Sequence, residues 1–190
     1  MSRFMSALAE VQKRGAEEAC LMVLDGEPGV SKTATVSWWA TQTGSIYIRA
    51  KAEWTAAWMM RELLGSLNVV PAHSFERMYG QALQALGARA RQAERSDEIF
   101  AVIVDEVDHI VRSAKLLETL RDLSDMLEIP FILVGMGRIR TGLTRYPQIA
   151  SRISKPVEFQ RASLEDVRAM VKGLCECEVK DDLIAFLHKA

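Results

Sequence analysis

Residues 26–33 read Gly-Glu-Pro-Gly-Val-Ser-Lys-Thr, directly after the apolar run Cys20-Leu-Met-Val-Leu24 and before a helix-compatible stretch. A buried strand, a glycine-rich turn and a helix in that order constrain the chain more than any other feature it carries. The backbone N–H groups of such a turn, together with the helix N-terminus behind it, converge on an anion. The loop Gly26, Glu27, Pro28, Gly29, Val30, Ser31, Lys32 and Thr33 is therefore read as a phosphate cradle. In it Lys32 reaches the β- and γ-phosphates of a nucleoside triphosphate, and the Thr33 hydroxyl ligates Mg²⁺. The pattern G-x-x-x-x-G-K-[ST] asks for glycine where Ser31 stands. Glycine there permits positive φ and a close approach to phosphate, and serine keeps the N–H at the cost of strain or a slightly shifted loop.

A second motif lies downstream. Phe100-Ala-Val-Ile-Val104 is a continuous apolar run, as in a strand buried on both faces of a parallel sheet. It ends in Asp105 and Glu106, at the strand edge where open α/β sheets bind ligands. Asp105 is placed to hold the Mg²⁺ shell, and Glu106 to orient and deprotonate an attacking water. GTPases and small-molecule kinases with a phosphate loop do not usually carry this second acid, whereas ATP-hydrolysing machines often do. ATP and Mg²⁺ are the expected cofactors.

Apolar runs alternate with helical patterns along the chain. Further strands are expected at 45–49, 131–134 and 156–159, and helices at 32–42, 54–67, 74–86, 110–127 and 138–146. An amphipathic opening helix is expected over 2–18. Residues 87–98, polar and rich in arginine, read as a helix end and a loop. Ser163-Leu-Glu-Asp166 resembles a helix cap. The fold class that follows is α/β, a five-stranded parallel sheet with helices on both faces. Residues 1–160 would form this domain, and 161–190 the start of a small helical lid that stops abruptly.

The 190 residues suffice for one such core, and no run approaches the roughly 20 apolar residues of a membrane span. The opening residues lack the apolar core of a secretory signal. Three cysteines, Cys20, Cys175 and Cys177, make no disulfide framework and too small a zinc site, so a cytoplasmic protein with reduced thiols is expected. A net charge of −1 supplies no bulk field for nucleic acid, so any such binding needs a local basic patch.

The phosphate loop, the Asp-Glu strand, a fourth strand and an arginine shortly before a fifth strand together resemble the AAA+ ATPases, whose loop takes the form Gly-x-Pro-Gly-x-Gly-Lys-Thr. Ile46-Tyr-Ile-Arg-Ala-Lys-Ala-Glu-Trp-Thr55 with Trp58, and Leu133-Val-Gly-Met136 with Arg138, resemble a narrower group: the target-DNA activator B proteins of Mu-like transposable phages, the MuB group. The resemblance implies an ATPase that binds double-stranded DNA without sequence preference, self-associates on it in the ATP state and delivers it to a transposase. It implies an active site shared between protomers, completed by an arginine that stabilises phosphoryl charge from the neighbour. Arg152 is the first candidate for that finger and Arg145 the second. Two features depart from the family. Gly135-Met-Gly137 supplies no Asn, Ser or Thr after the fourth strand, which implies poor water positioning and slow turnover. The N-terminal helix-turn-helix domain and the longer C-terminal region of MuB are not in this sequence.

Candidate DNA contacts are Arg49 and Lys51 after strand two, Arg112 and Lys115 after the acidic pair, and Arg89, Arg91 and Arg95 before strand three. The resemblance places the loops after strands two and three toward a central channel and favours Lys51, Arg112 and Lys115. Such cations neutralise phosphates without reading sequence. Trp54 and Trp58 could stack on bases, although tryptophans at i, i+4 on a helix more often belong to the core. Alternative readings are a helicase-loader or insertion-sequence helper ATPase, a nucleotide-gated DNA scaffold with negligible hydrolysis, and a kinase built on the same loop.

Overall fold

The computed structural model describes Ser6, Leu8 and residues 21–189 apart from Arg138, Glu176 and Glu178. The expected opening helix, Cys20 and Arg138 therefore fall mostly or wholly outside the described residues. Five strands, β1 (Leu21–Gly26), β2 (Ile46–Arg49), β3 (Val102–Asp105), β4 (Phe131–Val134) and β5 (Ile153–Phe159), form one sheet in the order β2-β3-β4-β1-β5. All pairings are parallel. Between them run α1 (Lys32–Thr43), α2 (Ala56–Ser66), α3 (Phe75–Arg95), α4 (Ala114–Leu127) and the short α5 (Ile139–Leu143) and α6 (Pro147–Ala150). After β5 come α7 (Leu164–Leu174) and α8 (Asp181–Lys189). No helix among the described residues is long and apolar enough to cross a membrane.

The period-two pleat splits the strand side chains between two cores. Leu21, Val23, Ile46, Ile48, Val102, Val104, Phe131 and Leu133 face α2, α3 and α4. Met22, Leu24, Ala101, Ile103, Ile132 and Val134 face Val36, Trp39 and Ala40 of α1, with Leu8 in the same cluster. Both faces are covered, which is why the strands read as unbroken apolar runs. Pro156 is tolerated because β5 is an edge strand that pairs only with β1.

Three expectations are corrected. First, α3 does not end near Leu86 but continues to Arg95, so residues 87–95 are helix. Its buried seam Met78, Ala82, Leu86 and Ala93 keeps helical spacing, with small residues taking over after Leu86. Second, residues 110–127 are not one helix. A 3₁₀ turn, Val107–His109, follows Glu106, and α4 starts only at Ala114. Val107 and Ile110, 0% and 1% exposed, anchor that turn in the core. Third, the helix expected over 138–146 is short, and Pro147 opens a further turn as its N1 residue. Ser163 and Asp166 form the expected cap, each side chain bonded to the other's backbone N–H.

Candidate functional site

The site is built at the C-terminal ends of β1, β3 and β4. β1 delivers the chain to Gly26, where the neighbouring β5 leaves no room for a side chain: a Cβ would lie 2.5 Å from the Phe159 carbonyl oxygen. The loop then turns into α1 through Ser31, which adopts φ 60° and ψ 23°. This is the left-handed conformation for which glycine was expected. Ser31 makes no side-chain cap, so its hydroxyl gives the helix start no compensation. Left-handed geometry costs a residue with a Cβ roughly 1–2 kcal/mol, more than the about 0.4–1 kcal/mol that glycine's unfolded-chain freedom costs. Ser31→Gly is expected to raise unfolding free energy by roughly 1 kcal/mol, measured by urea titration. A lower stability would show that the loop is not strained at this position.

Lys32 is buried at 7% exposure, and its ammonium donates to the carbonyls of Gly26 at 2.8 Å and Glu27 at 2.7 Å. Its pKa is lowered by burial, against the opposing pull of the Asp25, Asp105 and Asp108 carboxylates. The cation is thus held inside the loop by acceptors that phosphate oxygens can replace. Thr33 Oγ1 donates to Asp105 Oδ2 at 2.8 Å, which joins the phosphate loop to β3. Asp105, 2% exposed, also accepts the Tyr47 hydroxyl on Oδ2 and the Glu106 N–H on Oδ1, each at 2.8 Å. Burial and this carboxylate push the Tyr47 hydroxyl pKa well up, so it stays a donor. A hard cation prefers such oxygens. Lys32 on the outer phosphates, with Thr33 and Asp105 beside the cation, is a donor set that fits a Mg²⁺-nucleotide.

Glu106 takes φ 55°, a left-handed kink at the start of the 3₁₀ turn. Its carboxylate is ion-paired with Arg49 at the end of β2, and His109 Nε2 lies 3.6 Å from its Oε2. Sheet register makes the Arg49 contact possible, because Arg49 stands opposite Asp105. The Arg49 hydrogen bond holds the Glu106 carboxyl below its ordinary range. A base so held accepts a proton less readily, and the pair must part before Glu106 acts at full strength. Asp108, on the same turn, accepts the Met136 N–H at 2.8 Å.

The other nominated residues are spread more widely. Lys51 is ion-paired with Glu62, and its ammonium lies 5.3 Å from the centroid of the half-exposed Trp58 ring. Trp54 is core. Arg112 and Lys115 are exposed, as are Arg89, Arg91 and Arg95 on α3. The Arg152 Nε donates to Asp125 of α4 at 3.1 Å, and Arg121 lies 3.7 Å from the same carboxylate oxygen. Arg145 is exposed and makes no side-chain ion pair among the described residues. Cys175 and Cys177 are exposed free thiols.

Tyr47, Asp25 and Asp108 carry no motif of their own, and sequence reasoning missed their roles. Asp25 accepts the Gly26 N–H at 2.9 Å and so braces the start of the loop. Arg161, beyond β5, lies 3.4 Å from the Glu27 carboxylate. Acids directly beside the phosphate loop and the acidic pair were the available signal for Asp25 and Asp108. No local signal marked Tyr47 or Arg161.

Comparison with known proteins agrees with this architecture. A curated "potential ATP-binding protein" of Staphylococcus aureus is 35% identical over 74 residues, which are 39% of this chain and 27% of the relative. The structure of Cdc6p from Pyrobaculum aerophilum superposes with a TM-score of 0.68 at 17% identity, covering 98% of this chain and 52% of that one. The ORC1 protein of Aeropyrum pernix, solved in complex with DNA, gives 0.56 at 19% identity, covering 90% and 47%. The chain thus spans about half the length of these solved structures, and at such identities they show the fold. The family model described as an AAA domain matches residues 15–143, more than half of the 190-residue chain, and the protein belongs to that family.

Proposed function

We propose that the protein is an ATP-dependent DNA-binding ATPase that assembles on double-stranded DNA, and that its assembly activates this DNA as the target of a transposase. The observation that carries the ATPase part is the convergence of Lys32, Thr33, Asp105 and Glu106 at one sheet edge. In this reading Lys32 leaves the Gly26 and Glu27 carbonyls for the outer phosphates. Thr33 and Asp105 hold Mg²⁺, which supplies positive charge against the phosphate oxygens. Glu106, released from Arg49, takes the proton of the attacking water. Residues 1–160 serve as the nucleotide domain and 161–190 begin the helical lid.

DNA binding is supported by family membership and by the Aeropyrum neighbour solved with DNA. The transposition role rests on the resemblance of residues 46–58 and 133–138 to the MuB group. Of the four candidate cations after strands two and three, Arg49 and Lys51 are committed to Glu106 and Glu62. Arg112 and Lys115 are therefore the stronger candidates for phosphate contact. Arg145 is the more accessible of the two finger candidates, since Arg152 is engaged by Asp125.

With net charge −1, binding by one protomer should be weak, and stacking protomers in the ATP state would align a few cations per copy into a track. Duplex binding is expected to need ATP, to tolerate any sequence and to fall steeply with salt. Each phosphate contact contributes about 0.9 to the log–log salt slope. The double change Arg112→Ala, Lys115→Ala should flatten that slope by about 1–2 per protomer while ATP affinity stays as in the parent. Fluorescence anisotropy on duplexes of unrelated sequence measures both. An unchanged slope would move the DNA surface to Arg89, Arg91 and Arg95. Absence of ATP-dependent duplex binding at low salt would remove the DNA reading itself. The transposase role is tested by strand transfer into DNA carrying the protein, which should exceed that into bare DNA.

A further inference from the structure

The loop after β4 brings no polar side chain to the site among its described residues, yet it is stitched to the site on two sides. On one side the Gly137 N–H donates to the Gly26 carbonyl at 3.0 Å. That carbonyl is one of the two that hold the Lys32 ammonium. On the other side the Met136 N–H donates to Asp108 Oδ2 at 2.8 Å. Asp108 stands two residues beyond Glu106, on the 3₁₀ turn that buried Val107 anchors in the core. The carboxylate also takes part of the space that a side chain at position 135 would need: a Cβ on Gly135 would lie 2.3 Å from Ile139 Cγ2 and 2.6 Å from Asp108 Oδ2. Gly135 is thus glycine for room, and the room is taken by Ile139 and Asp108. A path of hydrogen bonds and backbone links runs from Lys32 through Gly26, Gly137, Met136 and Asp108 to the turn that follows Glu106.

From this path we infer that Asp108 is a positioning residue, which ties the acid-bearing turn to the phosphate loop so that loading the loop sets the place of Glu106. The inference rests on the reading of the site as a nucleotide-hydrolysing one. Its physical basis is geometric: a hydrogen bond holds its donor and acceptor within about 2.7–3.2 Å of each other. A carboxylate bonded to a backbone N–H therefore transmits a displacement of the 135–137 segment to its own turn. Phosphates that draw Lys32 off the Gly26 carbonyl change the partner of Gly137, and Met136 carries that change to Asp108. Asp108 touches no reacting atom in this scheme. It needs only an acceptor oxygen at the Met136 N–H, so asparagine should serve in its place.

The test uses the full chain with two readouts. Amide hydrogen exchange is followed over residues 106–110 and at Met136, with and without Mg²⁺ and the β,γ-imido analogue of ATP. Single-turnover hydrolysis of ATP is measured in parallel. In the parent protein the analogue should slow exchange over 106–110. Asp108→Ala should bind the analogue within about threefold of the parent, lose that protection and hydrolyse about tenfold more slowly. Asp108→Asn should restore most of both, which a requirement for the charge itself would not allow. Asp108→Leu, which keeps the branched shape of the side chain without an acceptor oxygen, should reproduce Asp108→Ala and stands in for it if that variant does not fold. Parent-like protection and rate in Asp108→Ala, or Asp108→Asn as impaired as alanine, overturns the inference. A parent protein that binds the analogue but does not hydrolyse ATP sinks the hydrolysis reading alone, and the exchange readout still decides the role of Asp108. A parent that does not bind the analogue overturns both.

Discussion

Lys32→Ala is expected to abolish ATP binding and every behaviour that depends on it. The Lys32 ammonium is a buried cation, 7% exposed, that stands among the carbonyls lining the phosphate loop. Without it the outer phosphates would meet the Asp25, Asp105 and Asp108 carboxylates with their charge uncompensated. Removing one partner of a buried ion pair costs about 3–5 kcal/mol, which is a loss of roughly 10²–10⁴-fold in affinity. Titration calorimetry with Mg²⁺-ATP measures it. The fold itself should survive, because among the described residues the lysine is bonded only to carbonyls of its own loop. Parent-like affinity in a folded Lys32→Ala protein would rule out the assignment of residues 26–33 as the nucleotide cradle.

The second large effect is on the chemical step. Glu106→Gln should bind ATP as the parent does and hydrolyse it about 10²–10⁴-fold more slowly, the usual contribution of a positioned base. Glutamine keeps the shape and still accepts a hydrogen bond from Arg49, but it cannot take up the proton of water. ATP-bound assemblies on DNA should in consequence persist far longer. The same variant probes the proposed sharing of the active site between protomers. Mixed with whichever of the Arg145→Ala and Arg152→Ala proteins is inactive alone, it should recover part of the activity at interfaces that combine an intact base with an intact arginine. Recovery with only one of the two identifies the finger. Recovery with neither, when the proteins co-assemble, excludes a finger in trans, and hydrolysis unaffected in Glu106→Gln excludes Glu106 as the base.

The Ser31 position shows how far a local motif reaches. Its φ of 60° follows from the loop path alone, because any residue there must let successive N–H groups turn inward before α1 begins. The motif also marked Lys32, Thr33, Asp105 and Glu106, and the structure brings Thr33 and Asp105 into direct contact across 72 positions of sequence. By contrast, the extent of α3 was hidden because its later seam is built of alanine rather than large apolar residues. The break between the 3₁₀ turn and α4 was hidden because Val107 and Ile110 continue an apolar pattern that a helix would share. Arg49 and Lys51 looked in the sequence like free cations and are in the fold partners of Glu106 and Glu62.

What the sequence determined alone is what lies within one short segment. A phosphate loop and an acid-tipped strand are contiguous, and their chemistry is carried by backbone N–H groups and neighbouring side chains that chain connectivity already holds together. From them came the expectation of a bound nucleotide with its cation, and the parallel sheet. Only the tertiary structure decided which distant groups serve those segments. The sheet order places β2 beside β3, so that Tyr47 and Arg49 reach Asp105 and Glu106, and sets β4 between β3 and β1, so that Met136 and Gly137 bridge Asp108 and Gly26. These contacts join residues up to 111 positions apart, as Gly137 and Gly26 are. No spacing rule encodes them, because they depend on strand register and on which edges the crossovers bring together.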